Sequence, residues 1–211
     1  MRWLCLIGLL LVGLTFVAPL SSGGGWFWDI GNWLGFAALA LMLYLFIDSG
    51  RGRGVKRHQS LAWLAVGAAG CHAVYFVVLD ATLIEYLKPT MPIYMAIGIL
   101  ALVLLLVTAI TSITAVRRRL YANRDEFKSL HWWFSALLLA TAGYHVIGSA
   151  FYYNNTLQML LLAILFAGLA LWSRSHLSVP TVTHRSPSSA IRWAVGVLVA
   201  IGIVFVLPRN L

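Results

Sequence analysis

The stretch HQSLAWLAVGAAGCH, residues 58–72, opens and closes on a histidine within an otherwise mostly apolar run. A second stretch, HWWFSALLLATAGYH, residues 131–145, does the same at the same 14-residue spacing. At about 100° per residue this spacing is four helical turns less roughly 40°, so on a helix the two histidines of each stretch share one face. At about 1.5 Å rise per residue they stand roughly 21 Å apart along the axis. Two such helices side by side offer two stacked sites of two imidazoles each.

The surroundings of these stretches are lipid-like. The chain is 61% hydrophobic and 10% charged, against about 45–50% and about 25% in a soluble domain. Its mean hydropathy is +0.88. We therefore expect an all-α integral membrane protein. Apolar runs cover residues 3–20, 30–47, 58–79, 92–116, 129–153, 157–172 and 190–207, which predicts seven spans. The 211 residues leave no room for a soluble nucleotide-binding domain beside them. The first run resembles a signal peptide in having Arg2 before it. It is long, however, and lacks an Ala-x-Ala site, so the reading is an uncleaved span.

The net charge of +9 is a topology signal and not a nucleic-acid footprint. Arg2, the Arg51–Arg57 loop, the Arg117–Lys128 loop and Arg174, Arg185 and Arg192 fall on one side of the predicted spans. Only Lys88 and Arg209 fall on the other. Cytoplasmic loops carry such an excess, so the N-terminus is expected in the cytoplasm and the C-terminus outside, in a bacterial inner membrane. Spans three and five then run parallel. His58 shares a level with His131 on the cytoplasmic side, and His72 shares a level with His145 in the outer half.

Ionisable groups at membrane depth are uncommon and usually functional. Neutral imidazoles are good iron ligands, and two axial histidines fill the iron and favour electron transfer over oxygen chemistry. The pattern predicts two haem b groups, one held by His58 and His131, the other by His72 and His145. Ala62, Ala65 and Ala69 leave room for flat macrocycles on span three. Phe134 is placed between the two levels on span five. Arg57, Arg118, Arg119, Arg124 and Lys128 are candidates to hold haem propionates. Cys5 and Cys71 have no metal or redox spacing. His176 and His184 lie in a Ser/Thr/Pro-rich loop and read as solvated. The six acids all sit at loop or span ends, which disfavours a proton-coupled transporter.

Arg57-His58-Gln59-Ser60-Leu61 with His72, and Ile113-Thr114-Ala115-Val116-Arg117-Arg118-Arg119-Leu120 leading to Leu130-His131 and His145, resemble the ferric reductase-like transmembrane domain. That family includes ferric reductases, NADPH oxidases and the haem-binding subunit of methionine sulfoxide reductase. The resemblance implies a six-helix haem-binding bundle over residues 1–175, with histidines from its third and fifth helices. A cytoplasmic loop (176–189) and a seventh transmembrane helix with a short tail (190–211) follow it. It implies transfer of electrons from a cytoplasmic flavin reductase or quinol to an outer acceptor such as ferric iron, a periplasmic redox protein or a quinone. Phe76 stands where oxidases of the family place a further histidine, and the short connection after span five leaves little to cap the outer site. Two other functions fit less well: a quinol-oxidising cytochrome b-like subunit, and a non-redox transporter or assembly subunit.

Overall fold

The structure is a computed structural model that describes residues 2–17, 25–48, 54–79, 88–175 and 187–211. Arg51, Arg53, Asp80, Glu85, His176, His184 and Arg185, and most of the expected 176–189 loop, lie outside the described residues. Among the described residues there are eight helices and no strand: α1 Arg2–Leu14, α2 Trp26–Ile47, α3 Gly54–Leu79, α4 Ile93–Thr111, α5 Thr114–Leu120, α6 Arg124–Gly148, α7 Thr156–Ser175 and α8 Pro187–Asn210. Five of them (α2, α3, α4, α7 and α8) are long and apolar enough to cross a membrane. The protein is an integral membrane protein.

α2 is the central rod. It is apolar on every side, and such a helix is stable only when enclosed. Phe36 to Leu41 form an unbroken buried run. α3 lies chiefly against α2, and α6 chiefly against α4. The two histidine helices are thus each backed by a different neighbour. One apolar cluster joins Leu4, Ile7 and Leu11 of α1, Leu39 and Leu43 of α2, Leu61 and Ala65 of α3, Leu104 of α4, Leu138 of α6, Leu162 of α7 and Leu198, Ile201 and Phe205 of α8. The last helix is therefore built into the same core as the rest.

Several expected spans are cut differently; the fifth, expected over 129–153, is helical over Arg124–Gly148. The first run is helical only to Leu14, where Thr15 and Phe16 turn back onto the carbonyls of Val12 and Gly13, both at 3.0 Å. The fourth run, expected to continue to Val116, breaks at Ser112–Ile113 into α4 and α5. The hydroxyls of Thr108, Thr111 and Ser112 bond back to carbonyls of the preceding turn, and Ile113 is extended. The last-turn carbonyl of Ser112 is taken up by Gln59 Nε2 at 3.1 Å. Arg117, Arg118 and Arg119 on α5 are thereby turned out of the apolar rod, where burying them would be costly.

α6 starts as its sequence dictates. Asn123 Oδ1 accepts the backbone N–H groups of Asp125 and Glu126, and Glu126 Oε2 accepts Ala122 N–H. This reciprocal cap satisfies donors that a helix start leaves open. At the opposite end of the bundle, Asp29 is wholly buried at the start of α2. Tyr152 Oη and Asn210 Nδ2 both donate to it at 2.6 Å. Asp29 is at a span end as expected, but it is enclosed and ties α8 to α2. Arg209 stacks on Phe16 and Phe205, each 4.3 Å away. α8 runs through Pro208 to Asn210, past the expected stop, because Asn210 and Arg209 side chains bond the last-turn carbonyls of Val206 and Phe205.

Candidate functional site: two facing histidine pairs

α3 is unbroken from Gly54 to Leu79 and α6 from Arg124 to Gly148, so each 14-residue spacing is realised on one continuous helix. The predicted partners face each other. The ring centroids of His58 and His131 are 6.4 Å apart, and those of His72 and His145 are 6.5 Å apart.

Those separations can be tested against a metal. A metal–imidazole bond is about 2.0–2.1 Å. Two such bonds, plus the distance from nitrogen to ring centre at both ends, put the centroids of two axial imidazoles roughly 6 Å apart. Both gaps have room for one metal between the two rings. Among the described residues no group of three or more His, Cys, Asp or Glu could hold a metal. Among the described residues each gap is faced by two imidazoles.

The outer ring nitrogens are anchored by neighbouring backbone. His58 Nδ1 lies 2.7 Å from the carbonyl of Asp48. His72 Nδ1 lies 2.8 Å from the carbonyl of Gly31, and His145 Nδ1 lies 2.8 Å from that of Tyr94. A carbonyl only accepts, so in each contact Nδ1 carries the proton and Nε2 keeps its lone pair. This is the usual second-sphere device for orienting a metal-ligating histidine. His131 differs: among the described residues its buried Nδ1 has no hydrogen-bond partner, and its ring is stacked on Phe127 at 5.2 Å and 26°.

Close backing fixes the outer pair further. A Cβ on Gly35 of α2 would come within 3.0 Å of the His72 ring, and one on Gly98 of α4 within 2.5 Å of His145 Nδ1. These glycines let the backing helices touch the imidazoles. Above the pair, Phe76 meets His72 edge-on at 5.3 Å. Trp28 lies 5.0 Å from Phe76 and 5.7 Å from Phe151. Trp28 lies on α2 and Phe76 on α3, and Phe151 belongs to the short connection after α6.

The inner pair opens into a cleft between α3 and α6. Ala62, Leu105, Leu138 and Leu139 line its depth, and Arg117, Arg124, Phe127 and Lys128 line it towards the loop. Arg57 is elsewhere: it is 3% exposed and paired with the carboxylate of Asp48, which also accepts Tyr44 Oη at 2.9 Å. Asp48 thus holds Arg57 with its side chain and His58 with its backbone. Arg118 and Arg119 are exposed on α5 and are not among the residues lining the cleft. Phe134 packs against the apolar core. Sequence reading missed Asp48, Arg117, Phe127, Gly35 and Gly98. Only Arg117 and Asp48 had a signal, namely charge next to an apolar run.

The fold is that of a helical membrane domain. The chain belongs to the family of ferric reductase-like transmembrane components, whose model matches residues 34–142. Domains of this family generally bind haem. The match includes His58, His72 and His131 and ends three residues before His145. No curated protein and no solved structure matches the chain.

Proposed function

We propose that the protein is a di-haem b-type transmembrane electron carrier. It moves electrons from a cytoplasmic flavoprotein or quinol to an outer acceptor: ferric iron, a periplasmic redox protein or a quinone. His58 and His131 hold the haem on the cytoplasmic side, and His72 and His145 hold the outer one. The observation that carries this reading is the pair of centroid separations, 6.4 and 6.5 Å, at two levels of the same two helices. When bound, haem would supply a reversible one-electron iron couple, held at each level by the two facing imidazoles.

The chain's own residues orient, enclose and charge the two sites. Backbone carbonyls of Asp48, Gly31 and Tyr94 fix three imidazoles in the ligating tautomer. Arg117, Arg124 and Lys128 at the inner cleft supply charge-assisted hydrogen bonds to propionates. Trp28, Phe76 and Phe151 exclude water from the outer pair. The N-terminus is cytoplasmic and the C-terminus outside, in a bacterial inner membrane, with residues 1–175 as the haem domain and 190–211 as an added helix.

The test is a reduced-minus-oxidised optical spectrum of the purified protein. The expected result is a b-type haem band with redox titration in two one-electron steps. A protein that carries no reducible haem after expression with haem supply contradicts the proposal.

A further inference from the structure

Three of the four site histidines are tied to a second element of the fold, and His131 is not. His58, His72 and His145 rest Nδ1 on the carbonyls of Asp48, Gly31 and Tyr94. Such a bond fixes the ring against a neighbouring element and holds it on a metal. Among the described residues, His131 Nδ1 is buried and has no partner of this kind. With Nε2 on a metal, Nδ1 carries the proton, so a buried donor is left unpaired. That is a standing cost, and any motion of the ring that finds an acceptor recovers it.

The remaining hold on His131 is local. Its ring lies on Phe127 at 5.2 Å and 26°, and Phe127 is one turn earlier on the same helix. The stack therefore moves with α6 and does not fix the ring to another helix. α6 begins close by, at Arg124, and every residue from 124 to 130 except Phe127 is exposed. The outer rings have no such latitude. Among the described glycines, Gly35 and Gly98 alone have a histidine ring as nearest neighbour, that of His72 and that of His145. Both outer rings are thus held in front by a carbonyl and closed off behind by a helix backbone.

We propose that His131 is a releasable ligand, and that the inner level takes up a neutral diatomic ligand of ferrous iron, of the chemical class of carbon monoxide, in its place. The inference rests on the di-haem reading above. In the exchange the bond from iron to His131 Nε2 breaks and a bond from iron to the ligand carbon forms. No electron or proton is transferred, and His58 keeps its bond. A ligand of this class favours ferrous over ferric iron, so an occupied inner level is held reduced and stops passing electrons. The outer level, with both rings anchored, keeps its two imidazoles.

The experiment uses the full chain in nanodiscs, with carbon monoxide as the probe. Haem is counted by pyridine haemochrome, and the protein is reduced with dithionite. Carbon monoxide is then mixed in at rising concentration and the absorbance change is followed. In the wild type one of the two haems is expected to react. Its rate is expected to level off as carbon monoxide rises, because release of His131 then limits it. Phe127→Leu is expected to raise that limiting rate by roughly two- to tenfold, the worth of one ring pair. Phe127→Tyr keeps the stack and is expected to stay at the wild-type rate. No reaction by a wild type that carries two reducible haems overturns the proposal. So does reaction of both haems, or a limiting rate that Phe127→Leu leaves unchanged. A wild type with one reducible haem or none is a separate result, and it defeats the di-haem reading itself.

Discussion

The two histidine pairs have nearly the same gap but opposite surroundings. Both rings of the outer pair are anchored on backbone carbonyls and touched from behind by glycine, and the pair is covered by Trp28, Phe76 and Phe151. Only one ring of the inner pair is anchored. The other leans on Phe127, and the pair opens to a cleft with cations along it. One geometry is thus embedded once among backbone anchors and aromatic rings and once beside a cleft lined by cations. On the proposed reading the difference suits two tasks: a fixed site among rings, and an entry site reached from the loop side.

The comparison is broken most severely by removing a ligand. His72→Ala and His58→Ala should each abolish electron transfer across sealed vesicles, read as reduction of external ferricyanide by an internal reductant. Each variant should keep the haem of the other level, which shows in its spectrum. Survival of transmembrane transfer in either variant would mean that the two levels do not act in series.

Asp48→Ala acts on the inner level alone. It removes the carboxylate paired with the buried Arg57, and breaking a buried ion pair costs about 3–5 kcal/mol in comparable cases. Thermal unfolding should shift markedly downward, with the inner haem depleted and the outer one retained. Gly98→Ala is the matching perturbation of the outer level. Its added Cβ falls 2.5 Å from His145 Nδ1, so the ring must move off the Tyr94 carbonyl. The outer haem content should drop severalfold while the inner is kept. Gly35→Ala should be milder, because its closest approach to His72 is 3.0 Å.

The smallest effect is expected at Phe127. A ring pair is worth about 0.5–1.5 kcal/mol beyond its area, so Phe127→Leu should leave both haems bound. It should hasten loss of the inner haem in mild denaturant, measured by the decay of its absorbance. An unaltered decay would show that His131 is held by something other than that stack.

The equal histidine spacings could be read directly, because helical periodicity carries them over 14 residues without help from the rest of the fold. The start of α6 was not read: the apolar run begins at residue 129, whereas the local cap of Asn123 and Glu126 starts the helix at Arg124. Nor were the anchors. Gly31 is 41 residues from His72, and Tyr94 is 51 residues from His145, and a backbone carbonyl has no signature in the residue that bears it. Arg57 invited assignment to propionates because it adjoins His58. Its true partner, Asp48, sits nine residues earlier at the end of α2. The break after Thr111 was masked by continuous apolarity up to Val116, although three hydroxyls in a row of turns marked where the helix could close on itself. Burial of Asp29 depends on Asn210 reaching it from 181 residues away, a contact that no local pattern announces.

The most direct measurement is the ratio of haem to polypeptide in purified protein, by pyridine haemochrome and amino-acid analysis, for the wild type and for His145→Ala. The account predicts two haems per chain in the wild type and one in the variant. A wild type with one haem or none, or a variant that keeps two, would contradict it.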